Sequence, residues 1–315
     1  MFLSFFLTLT FYSCNLNPGK KESETLNIIH AGSLTYPVSK IIQEFKKQNP
    51  QVNILSEAWG SKAGARRVID LETPCDVFLS ADYMVIKRML LPDHANWYIK
   101  FATNEMAIVF TKKSKYSNEI TSQNWLEILL RPDVEVGRSD PDHDPCGYRS
   151  VFTLQLAESY FNDNVGPRRI LEKSKKNIRP KETDLLALLE TNHIDYIFLY
   201  RSVAQQHKLP YITLPDELNL RNQDLDSLYS TAKVETVGAK PGARIIEVGE
   251  AMVYGVTIPF KAKNQKLAEK FVDFLLTGNK GLKILEDLGQ PGVVPSGSST
   301  FNNIPESLKG FAREK

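Results

Sequence analysis

Residues Arg138 to Arg149, RSDPDHDPCGYR, carry three aspartates, two prolines, a histidine, a cysteine and a glycine. So polar a run does not serve a hydrophobic core. Phe152, Leu156 and Tyr160 then recur at the i, i+4, i+8 spacing of one helix face, so the Asp144-Pro145-Cys146-Gly147 turn stands at a helix N-terminus. Unpaired backbone N–H groups and the positive end of the helix dipole favour a bound anion there, or a capping carboxylate, which Asp144 itself would supply. The same position lowers the pKa of a thiol, which makes Cys146 a candidate nucleophile with His143 or His193 as its base. No G-x-S-x-G-like elbow surrounds it, however. His30 and His143 as a metal pair lack a third ligand at a zinc spacing.

Similar turns occur elsewhere. Leu26 to Ile29 reads as a strand, His30-Ala31-Gly32-Ser33-Leu34 as a small-residue turn, and Val38, Ile41, Ile42 and Phe45 as one face of a helix with Pro37 in its first turn. The unit repeats as strand Val52 to Leu55, turn Gly60-Ser61 and helix Ala63 to Leu71. It repeats again as strand Asp76 to Leu79, turn Ser80-Ala81-Asp82 and a helix through Leu90. Strands alternating with helices predict an α/β fold whose parallel sheets bind ligands at the strand C-terminal ends. Beyond them, Trp125 to Leu130 reads as a helix and Val134 to Val136 as a strand. The helix from Ser150 to Phe161, a helix from Thr183 to Glu190, a buried strand Tyr196 to Tyr200 and a helix Leu267 to Leu276 follow. Met106 to Phe110 and Val253 to Ile258 are isolated apolar runs between these α/β regions, and they read as two hinge strands crossing between lobes. The expected division is 25–106 plus 254–315 for the first lobe and 107–253 for the second.

The 315 residues are enough for two lobes. Charged residues make up 24% and hydrophobic ones 42%, and 39 basic against 37 acidic side chains leave a net charge of +2. That balance gives no electrostatic case for nucleic acid. Met1 to Tyr12 is almost wholly apolar, too short to span a bilayer, and ends in Tyr12-Ser13-Cys14, the shape of a secretory leader with a small residue before a cysteine. It resembles the lipobox of bacterial lipoproteins, although Phe11 replaces an aliphatic residue and no Lys or Arg precedes the apolar run. Cys14 is thus a candidate lipidation site, residues 1–24 a leader and polar tether, and the chain a membrane-anchored extracytoplasmic protein. The remaining cysteines, Cys75 and Cys146, suffice for one disulfide and for no metal spacing; Cys75, opening the strand-like CDVFLSAD, reads as a buried thiol.

HAGSL at His30, Gly60-Ser61, SADY at Ser80, DPCGYR at Asp144, YRSVAQQH at Tyr200 and LPDE at Leu214 together resemble the tungstate/molybdate-binding proteins of ABC importers, archaeal type, over about Leu26 to Pro295. The resemblance implies a two-lobed periplasmic-binding fold of type II, an oxyanion held between the lobes, a membrane permease as partner, a monomer, no cofactor and no catalysis. It carries ligand contacts onto Gly32, Ser33, Ser61, Asp142, His143, Asp144 and Tyr200. It also implies a glutamate that joins Asp144 in giving carboxylate oxygens to the metal, placed at Glu182 with Asp184 as the alternative.

Carboxylates beside a dianion require an explanation, since like charges at ~4 Å repel by roughly 4 kcal/mol at an effective dielectric of 20. A high-valent tungsten or molybdenum centre supplies one, because a hard metal accepts further oxygen ligands. Sulfate and phosphate cannot expand their shell in this way, so the same carboxylates would repel them. Three other readings remain open on residues alone: a binder of sulfate, phosphate or ferric iron, a thiol enzyme using Cys146, or ordinary helix caps at each turn.

Overall fold

The computed structural model describes residues 24–240 and 242–315, so the leader and Cys14 lie outside the described residues. β1 (Thr25–Ala31) pairs in parallel with β2 (Asn53–Trp59) on one side and β3 (Val77–Ser80) on the other. Along β1 the side chains alternate between two faces. Leu26 and Ile28 share a core with Val38, Ile41 and Phe45 of helix Thr35–Gln48, and Ile29 packs with Ala65 and Val68 of helix Ser61–Asp70. With both faces covered, β3 is buried at every position, which is why its sequence is a continuous apolar run. The helix expected to reach Leu90 is instead a short turn, Tyr83–Val85, running into a π-helical turn at Ile86–Leu90. β4 (Ile99–Thr103) completes this part of the lobe.

The second lobe is built from β5 (Met106–Phe110), β6 (Val136–Ser139), β7 (Ile178–Arg179), β8 (Tyr196–Tyr200) and β9 (Tyr211–Thr213), in the order β7-β6-β8-β5-β9. The chain leaves it through a hairpin, β10 (Lys233–Val237) and β11 (Arg244–Val248). β12 (Val253–Thr257) then enters the first sheet between β3 and β4. Met106 to Phe110 and Val253 to Ile258 are therefore not lone hinge strands: β5 is paired along its whole length with β8, and β12 is flanked on both sides. The crossings are the short segments before them, Asn104-Glu105 and Gly249 to Met252. Met106 accordingly pairs in the second sheet and Val253 in the first, one residue away from the expected boundaries. Nor are the sheets purely parallel. Each receives the strand arriving from the other lobe in the reverse direction, so β5 and β12 run antiparallel to their neighbours. β13 (Ser296–Ser298) and β14 (Ala312–Glu314) pair beside the first lobe.

The β10–β11 hairpin, which was not expected from the sequence, forms an arm between the lobes. Its root is on the second lobe, where Gln155 exchanges two hydrogen bonds with the Lys233 backbone (2.9 and 2.8 Å) and Asp142 accepts from the Val237 N–H (2.7 Å). Its other face grips the first lobe. Lys62, 1% exposed, donates to Thr236 (2.6 Å) and Glu247 (2.8 Å), Arg88 pairs with the same Glu247, and Arg66 reaches the Gly238 carbonyl. Burial pushes the Lys62 ammonium pKa down, and the Glu247 charge opposes that shift.

A buried cation whose counter-ion is removed is strongly destabilising, whereas a partly exposed pair is worth little. Glu247→Gln is expected to cost about 3–5 kcal/mol and Arg88→Ala about 1 kcal/mol or less. Denaturant midpoints of the two variants against the parent check the order.

Candidate functional site

Turns carrying the candidate residues follow the strand ends in both lobes. In the first lobe, β1 ends at Ala31 and is followed by Gly32-Ser33; β2 ends at Trp59 and is followed by Gly60 and the first helical residue, Ser61; β3 ends at Ser80, before Ala81-Asp82. In the second lobe, β6 ends at Ser139, five residues before Asp144; Glu182 opens a short 3-10 turn after β7; Tyr200 ends β8. Ser33, Ser61, Asp144, Glu182 and Tyr200 are all at most 2% exposed. The lobes meet tightly over them. A methyl group on Gly60 would stand 2.5 Å from the His143 carbonyl and 3.0 Å from Asp144 Cβ, and the Ala63 N–H donates to that carbonyl across the cleft (3.1 Å).

Three hydroxyls in this space share one arrangement. Ser33 Oγ accepts from the Tyr254 hydroxyl (3.0 Å), Ser61 Oγ accepts from the Ala81 N–H (3.0 Å), and the Tyr200 hydroxyl accepts from Arg149 (3.0 Å). Tyr254 is held in turn by Asn104 (2.9 Å), and Gln290 donates to the Ser33 carbonyl (3.1 Å). Because each hydroxyl has a lone pair engaged by a fixed protein donor, its own hydrogen is directed elsewhere. Burial raises the Tyr200 pKa well above its usual value and that of Tyr254 to about 12, so both hydroxyls keep their protons. The set is made of donors and suits an acceptor-only ligand.

Two acids face the same space. Asp144 caps helix Pro145–Tyr160, its Oδ1 accepting from the Cys146 N–H (3.2 Å), and its Oδ2 accepts from the Glu182 N–H (2.9 Å). Capping and site formation are thus the same act, since one carboxylate fixes the helix start and the Glu182 turn together. Both Glu182 side-chain oxygens are buried and unpartnered, and a methyl group on Gly32 would lie 2.7 and 2.8 Å from them. A side chain at residue 32 would push the Glu182 carboxylate out of this position. Burial, then the charge of Asp144, raises the Glu182 pKa well above the carboxylate range; burial raises that of Asp144 too, while the hydrogen bonds it accepts oppose the shift. Among the described residues no three His, Cys, Asp or Glu gather as a metal site. A metal held here has two protein carboxylates and must bring its other oxygens with it.

The other candidates are placed differently. The Asp142 carboxylate is spent on Val237 and on Arg244 (3.3 Å), holding the hairpin arm, and the His143 ring is turned to Asp140 (3.0 Å) and half exposed, so neither side chain joins the site. The resemblance carried contacts onto them as neighbours of Asp144 in one loop, in which successive side chains diverge. Asp184 pairs with Lys181 at the surface (3.2 Å), which leaves Glu182 as the inward acid. Cys75 and Cys146 are both buried free thiols. Burial, Asp144 and Glu182 push the Cys146 pKa well up, the reverse of what a thiolate nucleophile needs. His30 lies buried with its pKa lowered to about 4 by desolvation, its Nδ1 on the Ala31 carbonyl (2.8 Å). Tyr254, Gln290 and Asn104 were not singled out from the sequence, because they reach the site from distant parts of the chain. Gly60 and Ala81 were read only as members of the turns that carry Ser61 and Asp82.

A model of the bacterial extracellular solute-binding proteins matches residues 26–289. A solute-binding protein from Petrotoga mobilis is 44% identical over 91% of this chain and 89% of its own length. The molybdate/tungstate-binding protein WtpA of Thermococcus kodakarensis is 40% identical over 94% of this chain and 89% of its own. The periplasmic molybdate-binding protein of Azotobacter vinelandii superposes with a TM-score of 0.60 at 15% identity, covering 86% of this chain and 99% of that one, a likeness of fold. The match spans both lobes, including Ser33, Ser61, Asp144, Glu182 and Tyr200, and the chain belongs to the bacterial extracellular solute-binding protein family.

Proposed function

We propose that this chain is the binding component of an ABC importer and captures tungstate or molybdate between its lobes, with Asp144 and Glu182 as direct ligands of the metal. The observation that carries the reading is the Glu182 carboxylate, buried with both oxygens unpartnered beside a second acid. An unpaired buried charge is costly, which is why the Glu182 pKa is raised, and a high-valent metal centre is a partner that would stabilise the ionised form while still presenting oxygens to the hydroxyl donors. Ser33, Ser61 and Tyr200 supply those donors, and no turnover is part of the reading. The named ligands of the WtpA relatives support it. Sulfur in sulfate cannot take further oxygen ligands, so the ionised acids repel that anion.

The proposal extends to the N-terminus: a lipidated Cys14, residues 15–24 as tether, and a monomer that delivers its ligand to the membrane permease. No helix among the described residues is long and apolar enough to cross a membrane. Acyl chains on Cys14 would give the stable anchoring that one weak signal does not. Mass spectrometry of the native protein should find the mature chain starting at a lipid-modified Cys14; an intact leader would remove the anchor and leave the binding site untouched.

Isothermal titration of the mature protein with tungstate, molybdate, sulfate and phosphate tests the site. Asp144→Asn and Glu182→Gln keep the shape and remove a charged ligand, so each should weaken tungstate by roughly tenfold to a hundredfold. Sulfate affinity should stay equal or rise as repulsion is relieved. Parallel losses for the two anions would reduce the acids to helix caps.

The raised Glu182 pKa has a pH signature. In the ligand-free protein the folded state holds this proton more tightly than the unfolded chain does, so its contribution to stability is complete below the usual carboxylate value of 4.5 and is lost as pH rises through the raised value. Ligation requires the ionised carboxylate, so tungstate affinity should rise over that same window. Melting temperatures of the ligand-free parent and Glu182→Gln across pH should diverge as pH rises, with the variant the flatter of the two.

A further inference from the structure

Arg149 is the largest charged side chain fully enclosed in the molecule, 2% exposed, and its contacts belong to both lobes. It stands on helix Pro145–Tyr160 of the second lobe, one turn beyond the Asp144 cap. One guanidinium nitrogen donates to the Ala81 carbonyl (2.9 Å) and to the Tyr200 hydroxyl (3.0 Å), and the other lies 3.3 Å from the Asp82 carboxylate. Ala81 and Asp82 follow β3 in the first lobe, and Tyr200 ends β8 in the second. The Ala81 unit is also the one whose N–H fixes Ser61. Tyr148 donates to the same Asp82 carboxylate, which therefore receives two second-lobe side chains. An isolated buried guanidinium would be prohibitive, and here Asp82 pairs it.

Three facts limit what Arg149 can do. Its charge is matched by Asp82, so it does not serve as an unspecific anion clamp. Its bonds to Ala81 and Asp82 exist only when the lobes are together. Among the described residues the Tyr200 hydroxyl accepts from Arg149 and donates to no protein group, so its hydrogen is directed away from the guanidinium and has no protein acceptor.

We propose that Arg149 is a positioning residue that couples lobe closure to ligand capture: docking on Ala81 and Asp82 of the first lobe, it takes the Tyr200 lone pair and so aims the Tyr200 hydrogen at the bound oxyanion. The inference rests on the tungstate or molybdate reading of the cleft and adds a residue to it. Arg149 touches no ligand oxygen; its effect passes through one hydroxyl, that of Tyr200, and the interlobe contact serves to hold the guanidinium in place for it. The planar fork is essential, because a lysine keeps the charge beside Asp82 but cannot serve the carbonyl, the carboxylate and the hydroxyl in their present directions.

A double-mutant cycle tests this in the mature protein with sodium tungstate as probe, using parent, Arg149→Lys, Tyr200→Phe and the pair. Arg149→Lys is chosen because it leaves a cation beside Asp82; thermal melts of the ligand-free proteins verify folding. Each single change should weaken tungstate by roughly tenfold, and the pair should be scarcely weaker than Tyr200→Phe alone, since removing the hydroxyl leaves Arg149 nothing to aim. A merely structural arginine predicts that the two losses multiply, and that result overturns the proposal. So does an unchanged affinity in Tyr200→Phe or in Arg149→Lys. If Arg149→Lys does not fold, Asp82→Asn takes its place in the same cycle, with the same non-multiplying losses expected. Failure of the parent to bind tungstate or molybdate at all would be a failure of the functional reading and is seen in the first titration.

Discussion

Two carboxylates, Asp144 and Glu182, are buried at the contact of the two lobes without a cation beside them, and the surrounding structure depends on that constraint. A charge removed from water must be paired, hydrogen-bonded or protonated. Asp144 is partly relieved by two backbone N–H groups, and Glu182 by none. The protein does not lack cations near the cleft; it commits them elsewhere. Arg149 is paired with Asp82, Lys62 with Glu247 and Arg201 with Glu105 (2.8 Å). Each of these pairs ties parts of the chain together, and none leaves positive charge over for an arbitrary anion. Selection by such a site comes from what a ligand can offer to bare carboxylate oxygens.

The remaining surface of the cleft is organised in the complementary sense. Ser33, Ser61 and Tyr200 each accept one protein hydrogen bond, and the donors that fix them lie on a crossing strand, a turn and a facing helix. Orienting a hydroxyl before the ligand arrives lowers the ordering cost of binding. Tyr254 links this layer to the crossing itself, because its hydroxyl stands between Ser33 and Asn104, the residue at which the chain leaves the first lobe. The contact of the lobes, the direction of the donors and the hinge are in this way parts of one hydrogen-bonded system.

Reading the chain alone located the strand–turn–helix units, and the structure shows why this was possible: each turn is encoded by adjacent residues, and the burial of both sheet faces leaves an apolar run that any reader can see. It erred where pairing partners are distant. Met106 to Phe110 and Val253 to Ile258 looked solitary because nothing in their neighbourhood announces β8, or β3 and β4, as their partners. The hairpin arm was missed because its strands are short and half exposed, with no apolar run to mark them, although the sequence between them holds the turn dipeptide Pro241-Gly242.

For the site, the sequence by itself determined which residues can donate and accept: Gly32 and Ser33, Ser61, Asp144, Glu182 and Tyr200 were all legible from turn chemistry and family resemblance. Tertiary structure alone decided which of them point inward. Asp142 and Asp144 are two residues apart with the same functional group, yet one anchors Val237 and Arg244 while the other caps a helix and faces Glu182. The difference lies in backbone direction within a loop, and no side-chain periodicity reports it. The same holds for Arg149, whose partners lie 51 and 67 to 68 positions away in the sequence. Those partners meet because the two lobes pack against one another, and nothing local in the chain announces that contact.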